Sequence, residues 1–478
     1  MRTQGFGRYA LSSSVAAAML AGCGGSQPTI GQPGAMPQSA LSASGSSSSK
    51  YIKHVIVMIQ ENRSFDNLFA TFPGADGATH GKEKVGGKTK QLKLQVENLA
   101  YPCDFGHSYA GFIGDYDGGK MDGFNLPAGG PQCPGAAGKK PYQYVNPQQV
   151  APYWDIAKQY VLADQMFQTQ GSGSFTAHQD LIRGGTTIDQ AQTQSLIDYP
   201  SSHPWGCDAK QGTSTTLLVW TGSSLTRAKG PFPCTNQFPG SGAYYPTLRD
   251  LLDAKSVSWK YYSPVVKNGV GGYWNAFDMI WPVRNSAEWG KNVTTASPWE
   301  NLIFQDISYG TLPAVSWLIP DDSNSDHPGV AHDNGPSWIA SVVNAVGQSS
   351  YWDSTAIIVV WDDWGGFYDH VKPPQPFDHW GGLGFRVPML LISAYARKGS
   401  GSQGGYISNT QYEFGSIVKF IEDNWDLGRL GTTDMRATSI VDGFDFSQPA
   451  RHFSSIPSKY SREYFLHQPP SYKPVDTE

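Results

Sequence analysis

Residues 354–361, STAIIVVW, give the strongest strand signal in the chain. They form an apolar run of strand length, rich in β-branched residues. IKHVIVMI (52–59) and RVPMLLIS (386–393) are of the same kind. AVSWLIP (314–320) predicts a strand ending at Pro320, and SVSWKYY (256–262) and TLLVWTG (216–222) two further strands. Helical patterns lie between them. Trp338, Ile339, Val342, Val343 and Val346 recur at helical spacing within 336–347, with Pro336 at a first-turn position. Ile417, Phe420 and Ile421 share one face of a helix predicted over 414–425, and 245–254 reads as a short amphipathic helix. Strands alternating with helices predict an α/β fold with a mainly parallel central sheet flanked by helices. The stretch from about 185 to 310 is rich in Gly, Pro and aromatic residues and weak in periodicity, and predicts a cap insertion over the sheet.

Composition narrows the class. Charged residues are 16% of the chain, against about a quarter in an average protein. Aromatics reach 13%, which excludes a coiled coil and a mostly disordered chain. The formal charge of −5 leaves no basic footprint for nucleic acid. With 54 Gly and 33 Pro, the chain should be rich in ordered loops, where binding and catalysis often sit.

Residues 1–23 read as an export signal. Arg2 and Arg8 precede an Ala-rich apolar stretch too short to span a bilayer. Leu20-Ala21-Gly22-Cys23 resembles a bacterial lipoprotein box, which implies acylation of Cys23, attachment to the membrane and a place in the cell envelope. An ordinary secretory signal with a chance Cys is the alternative. Residues 24–50 carry no charge before Lys50 and read as a flexible tether with a reach of roughly 30 Å. The catalytic domain is expected over 51–478. Of the five cysteines, the four beyond Cys23 suggest two disulfides in an exported protein. Sequence proximity favours Cys103–Cys133 and Cys207–Cys234. A zinc site is the rival, but there is no CxxC and no Cys/His cluster.

In open α/β sheets the site lies beyond the carboxyl ends of the strands. The first strand runs directly into Glu61-Asn62-Arg63-Ser64-Phe65-Asp66. The strongest strand runs into Asp362-Asp363, followed by Trp364-Gly365-Gly366-Phe367-Tyr368-Asp369-His370. Adjacent carboxylates at a buried strand end repel one another and suit a divalent cation. Acids after strands also serve as helix caps, so spacing alone leaves both readings open. Gly171-Ser172-Gly173-Ser174 reads as a tight turn that could present Ser174 as a nucleophile, though a plain Ser/Gly turn looks the same. His107, His327 and His370 each stand beside a loop rich in Gly, Pro or Asp.

Together these segments resemble a known family. ENRSFD after the first strand, GSGSFTAHQDLIRG in the middle, and VVWDDWGGFYDHVKPP followed by FRVPMLLIS look like the bacterial phosphoesterase family. That family contains phospholipases C and related acid phosphatases, within the alkaline phosphatase superfamily. The resemblance runs from about residue 52 to 422 and implies an alkaline-phosphatase-like fold. It implies one divalent metal ion held by Glu61, Asn62, Asp362 and Asp363, with Ser174 as nucleophile. It places His107 and His327 at the phosphate or in proton transfer, and Asp369 and His370 at the substrate or in ordering its loop. Arg63 and the Arg-Val-Pro at 386–388 are expected to be structural. Thr176-Ala177-His178 departs from the phospholipase pattern of Pro-Asn followed by Arg or His, which weakens the phospholipase reading more than the phosphatase one.

The expected function is therefore metal-dependent hydrolysis of phosphate monoesters through a phosphoseryl intermediate. The alternative within enzymes is a phospholipase C or other phosphodiesterase acting on phospholipid headgroups. From a different class, the chain could be a non-catalytic, surface-binding lipoprotein. Retention of both acidic segments and the Ser argues against that last reading.

Overall fold

The computed structural model describes residues 45–130, 133–240, 245–264, 274–294, 299–374, 379–400 and 403–472. All belong to one of the chain's two compact units, Ala43–Glu478. The export signal, Cys23 and the tether as far as residue 44 lie outside the described residues. The tether's last residues are not extended: Gly45–Tyr51 form a helix, α1.

Eight strands make the central sheet: β1 (His54–Gln60), β2 (Val161–Ala163), β3 (Trp259–Tyr262), β4 (Val293–Thr294), β5 (Val315–Leu318), β6 (Thr355–Trp361), β7 (Met389–Ser393) and β8 (Tyr406–Ser408). Their spatial order is β4-β3-β5-β1-β6-β7-β2-β8. Only β7 runs against its neighbours; every other pairing is parallel. The expected mainly parallel sheet is present. Every residue of β6 is buried, because the sheet is covered on both faces, as parallel sheets generally are. That is why the sequence of β6 is continuously apolar rather than alternating.

Among the covering helices are α3 (Ser174–Arg183), α4 (Gly335–Gly347) and α5 (Phe414–Trp425). Helix α5 packs against α1 and α3. Helix α4 packs against α2 (Ala151–Gln159). Helix α5 has the bounds expected from its apolar face, and it ends at Asp426, which takes the left-handed conformation (φ 50°).

The expected cap is smaller than composition suggested. Gln194–Ile197, Thr216–Trp220 and Leu225–Lys229 form a separate antiparallel sheet. Within the same 185–310 stretch, however, β3 and β4 extend the central sheet. All their residues but Lys260 are buried there, so the aromatics Trp259, Tyr261 and Tyr262 are core rather than cap. Both expected disulfides are formed, Cys103–Cys133 and Cys207–Cys234.

Register decides what the sheet presents. β1 and β6 are parallel and pair Gln60 with Trp361. The next residues, Glu61-Asn62 and Asp362-Asp363, therefore leave the sheet side by side. β5 pairs Leu318 with Met58, so the loop from Ile319 to Pro328 departs at the same end. β2 is parallel to β6 through the reversed β7, and its exit leads to the Ser174 loop at that end too.

Candidate active site

Asn62 is the hub. It has a left-handed backbone (φ 54°), unusual for a residue with a side chain. Its N–H donates to Asp362 Oδ1 at 3.0 Å. Its side-chain Nδ2 lies 3.0 Å from His107 Nε2, 3.3 Å from Ser174 Oγ and 3.5 Å from Asp363 Oδ2. Ser174 Oγ donates to Asp363 Oδ2 at 3.0 Å. Glu61, Asn62, Ser174, Asp362 and Asp363 are all fully buried. The two acidic segments and the Ser/Gly turn, more than a hundred residues apart in sequence, thus meet at one point.

Ser174 opens α3, with Gly173 as the capping residue. Gly173 is needed for space rather than for φ, since a side chain there would collide with the Tyr199 hydroxyl. The sequence suggested glycines that loosen a turn; the structure shows a close approach instead.

His107 Nδ1 faces the Phe105 carbonyl at 2.6 Å and Asp104 Oδ1 at 3.9 Å. With the proton held on Nδ1, Nε2 accepts from Asn62 and from the Tyr199 hydroxyl, 3.1 Å away. Nε2 is also 3.7 Å from Asp363 Oδ2. His107 therefore joins the cluster around Asn62 and Ser174.

His327 sits in the loop after β5, with Nδ1 on the Pro328 carbonyl. Its Nε2 is buried and makes no hydrogen bond among the described residues. The ring lies 5.9 Å from Trp274, which on its other contact stacks with His178 at 6.4 Å.

His178 was not singled out from the sequence. It lies four residues after Ser174 in α3, one helical turn on and on the same face. That Ser-x-x-x-His spacing was the available signal. His178 Nε2 is 3.0 Å from Glu61 Oε1 and 3.9 Å from Asp362 Oδ2. Ligand atoms of Glu61, His178 and Asp362 all fall within 4.8 Å of one another. Tyr199 was also missed; it sits in a loop with no pattern to mark it.

The donor set fits a divalent cation. Three fully buried carboxylates, Glu61, Asp362 and Asp363, converge, which is costly without a positive charge. Asp362 Oδ2 and Asn62 Oδ1 are buried and make no hydrogen bond among the described residues. Oxygen ligands with one imidazole suit several divalent ions.

Asp369 and His370 stand apart from this cluster. Gly365 and Gly366, both left-handed (φ 58° and 70°), turn the chain away after Asp363. Arg386 Nε then donates to Asp369 Oδ1 at 3.1 Å, and Arg386 Nη2 to Asp66 Oδ1 at 3.3 Å. His370 pairs with Asp66 at 2.8 Å and Asp76 at 3.2 Å. Among the described residues neither hydrogen-bonds to the Ser174 cluster, so their geometry is that of an ion network bracing the loop. Arg63 is a brace as well: it donates to the carbonyls of Asp326 at 2.7 Å and Leu99 at 2.8 Å and to Asn67 Oδ1 at 3.1 Å.

The model of the Phosphoesterase family matches residues 52–428. The chain belongs to the phosphoesterase family. Its relatives include the non-hemolytic phospholipase C of Burkholderia pseudomallei, 24% identical over 89% of this chain and 63% of the relative. Phospholipase C A of Mycobacterium tuberculosis is 26% identical over 83% of this chain and 78% of its own length. The chain thus spans less than two thirds of the first of these proteins. Among solved structures, a protein in the alkaline phosphatase superfamily from Vibrio parahaemolyticus is 11% identical, with a TM-score of 0.34, covering 83% of this chain and 78% of that one. None of the described helices is long and apolar enough to cross a membrane.

Proposed function

We propose that this phosphoesterase hydrolyses phosphate monoesters through a phosphoseryl intermediate on Ser174, and that Glu61, Asn62, Asp362 and Asp363, with His178 beside them, hold one divalent cation. The observation that carries the reading is the 3.0 Å hydrogen bond from Ser174 Oγ to Asp363 Oδ2 at the start of a helix. A cation bound there supplies positive charge that attracts phosphoryl oxygens and eases ionisation of a hydroxyl.

The protein's own residues do the rest. First-turn N–H groups of α3 have no acceptor within the helix, and they face an anion favourably. Ser174 Oγ gives up its proton, for which Asp363 Oδ2 and His107 Nε2 are the nearby acceptors, and attacks phosphorus in line. The new Oγ–P bond forms as the ester P–O bond breaks. His327, in its doubly protonated form with Nδ1–H on the Pro328 carbonyl, gives its Nε2 proton to the departing alcohol oxygen and is left neutral. Water then cleaves the Oγ–P bond, releasing phosphate and restoring Ser174.

The names of the relatives favour a second reading, phospholipase C cleavage of a phospholipid headgroup diester. The test is turnover of p-nitrophenyl phosphate beside p-nitrophenylphosphorylcholine by the full chain, with and without chelator. Ser174→Ala is the control, and phosphoserine is trapped by acid quench and located by mass spectrometry. Chelator-sensitive release from the monoester, with phosphate on Ser174, supports the proposal. Preference for the choline diester selects phospholipase C. Near-normal turnover by Ser174→Ala rules out the covalent route. We also infer export and lipid attachment at Cys23, supported by the Leu-Ala-Gly-Cys box. Incorporation of labelled palmitate that persists in Cys23→Ala would remove that inference.

A further inference from the structure

A cavity of about 260 Å³ is lined by Thr169 and Gln170, in the loop that leads to Ser174. None of Glu61, Asn62, Ser174, Asp362 or Asp363 lines it. The volume is a little under the range of about 300–1,000 Å³ common for small-molecule sites, so the cavity suits one small ring rather than a long ligand.

Its walls are hydroxyls whose protons are already committed. Thr432 Oγ1 donates to the Arg183 carbonyl at 2.5 Å, and Thr433 Oγ1 to that of Gly184. Thr186 Oγ1 donates to the Leu196 carbonyl at 3.0 Å, accepts from Gln170 Nε2 at 2.6 Å and lies 2.9 Å from Ser195 Oγ, so it is already satisfied. The Thr432 and Thr433 oxygens keep lone pairs for a ligand, but their protons are committed. Thr169 is the exception. It lines the cavity and is 6% exposed, and its Oγ1 makes no hydrogen bond among the described residues. A buried hydroxyl left in that state is costly unless something else completes it.

Charge is balanced. Arg436 is the cation at the wall, and it is held by Glu413 through two hydrogen bonds of 2.9 and 3.0 Å. No carboxylate lines the cavity among the described residues. An aromatic wall completes it: Trp380 with His379 at 4.5 Å, and Trp220 5.5 Å beyond His379.

An acceptor-rich, charge-balanced cavity with an aromatic wall discriminates among ligands. A phosphate ion is mainly an acceptor, with one or two O–H groups near neutral pH, and Arg436, the cation it would seek, is already held by Glu413. A cation meets Arg436 and no carboxylate. A neutral polyhydroxyl ring can donate to the threonine oxygens and lay its C–H face on the electron-rich indole. We propose that this cavity is a binding site for a neutral monosaccharide or cyclic polyol, separate from the phosphoesterase centre.

The test uses the full chain with glucose, N-acetylglucosamine and myo-inositol as probes, read by saturation-transfer difference NMR and tryptophan fluorescence. Inorganic phosphate is the anionic control. At least one probe is expected to bind saturably with a Kd on the order of millimolar, weakened about tenfold or more by Trp380→Ala and by Thr169→Val. Phosphate should neither bind there nor displace the probe. Thr169→Val is close to isosteric, so it keeps the test open if Trp380→Ala fails to fold. Phosphate-ester turnover without sugar should be unchanged in both variants. Absence of saturable binding by all three probes in folded protein overturns the proposal. So does binding that both variants leave intact, or competition by phosphate.

Discussion

The Tyr199 hydroxyl lies 3.1 Å from Nε2 of His107. The same oxygen accepts the backbone N–H of Ser174 at 3.1 Å. One phenol thus fixes both the start of the nucleophile helix and the imidazole across from it. Tyr199→Phe keeps the ring's packing against Trp205 (4.8 Å between ring centres) but removes both hydrogen bonds. A misplaced nucleophile slows the chemical step more than binding. The expected result is a kcat lower by about tenfold or more with KM little changed. Steady-state kinetics on p-nitrophenyl phosphate check this. An equal loss appearing in KM alone would assign Tyr199 to substrate binding instead.

His178 gives the second prediction. Its Nε2 contacts Glu61 and Asp362 at 3.0 and 3.9 Å, so it either ligates the proposed cation or orients its ligands. Loss of such a group commonly costs roughly 10–100-fold in metal affinity. In His178→Ala, the cation concentration that half-restores thermal stability to chelator-stripped protein should rise by that factor. Melting curves measured across a titration with manganese or calcium read this without relying on activity. Coincident titrations for the two proteins would remove His178 from the cation site.

Much of this arrangement was legible in the sequence, for identifiable reasons. β1 and β6 are buried on both faces, so their apolar runs announced them. The carboxylates follow those strands without a gap, so placing the strands also placed Glu61 and Asp362. The register that sets Gln60 beside Trp361 is a tertiary fact and has no local mark. His178 was readable in principle, through helical spacing from Ser174. Tyr199 was not, because its role arises from a loop folding over Gly173. For Asp369 and His370 the sequence left substrate contact and loop ordering open, because they follow Asp363 closely. Two left-handed glycines redirect the chain between them, and Arg386, 16 residues beyond His370, claims Asp369. The three-stranded sheet and the edge strands β3 and β4 share one aromatic, Gly-rich composition, so composition could not separate cap from core.

The centre of the sheet should be intolerant of truncation. Ile358 is fully buried in β6 and pairs with Val57 on one side and Leu391 on the other. Ile358→Ala removes buried methyl groups between covered faces and should cost about 2–5 kcal/mol. The midpoint of chemical denaturation should fall accordingly. Activity per folded molecule should hold at low denaturant, because Trp361 and the strand's exit are unchanged. A loss below about 0.5 kcal/mol would mean that the site collapses to fill the gap, contrary to a tightly packed core.

The ion network around His370 should make stability depend on pH in a defined direction. Burial pushes the His370 pKa down, but the hydrogen-bonded Asp66 carboxylate and nearby Asp369 outweigh it and raise the value to about 9, from an ordinary 6.5. A histidine whose pKa is higher in the folded state stabilises that state fully below its unfolded pKa, and the stabilisation is lost as pH rises through the folded value. The window is therefore pH 6.5 to about 9. The His370 side chain is 28% exposed, so solvent screening reduces the effect below what the full shift implies. His370→Gln keeps a hydrogen-bonding group but removes the charge. The melting temperature of the wild type should exceed that of His370→Gln at about pH 6, and the gap should narrow at about pH 10. Asp369 does not mimic this pattern in that range: burial, opposed by Arg386, raises its pKa only to about 6, so it titrates below most of the window. Equal gaps at the two pH values would show that His370 braces the loop by shape alone, with no contribution from its charge.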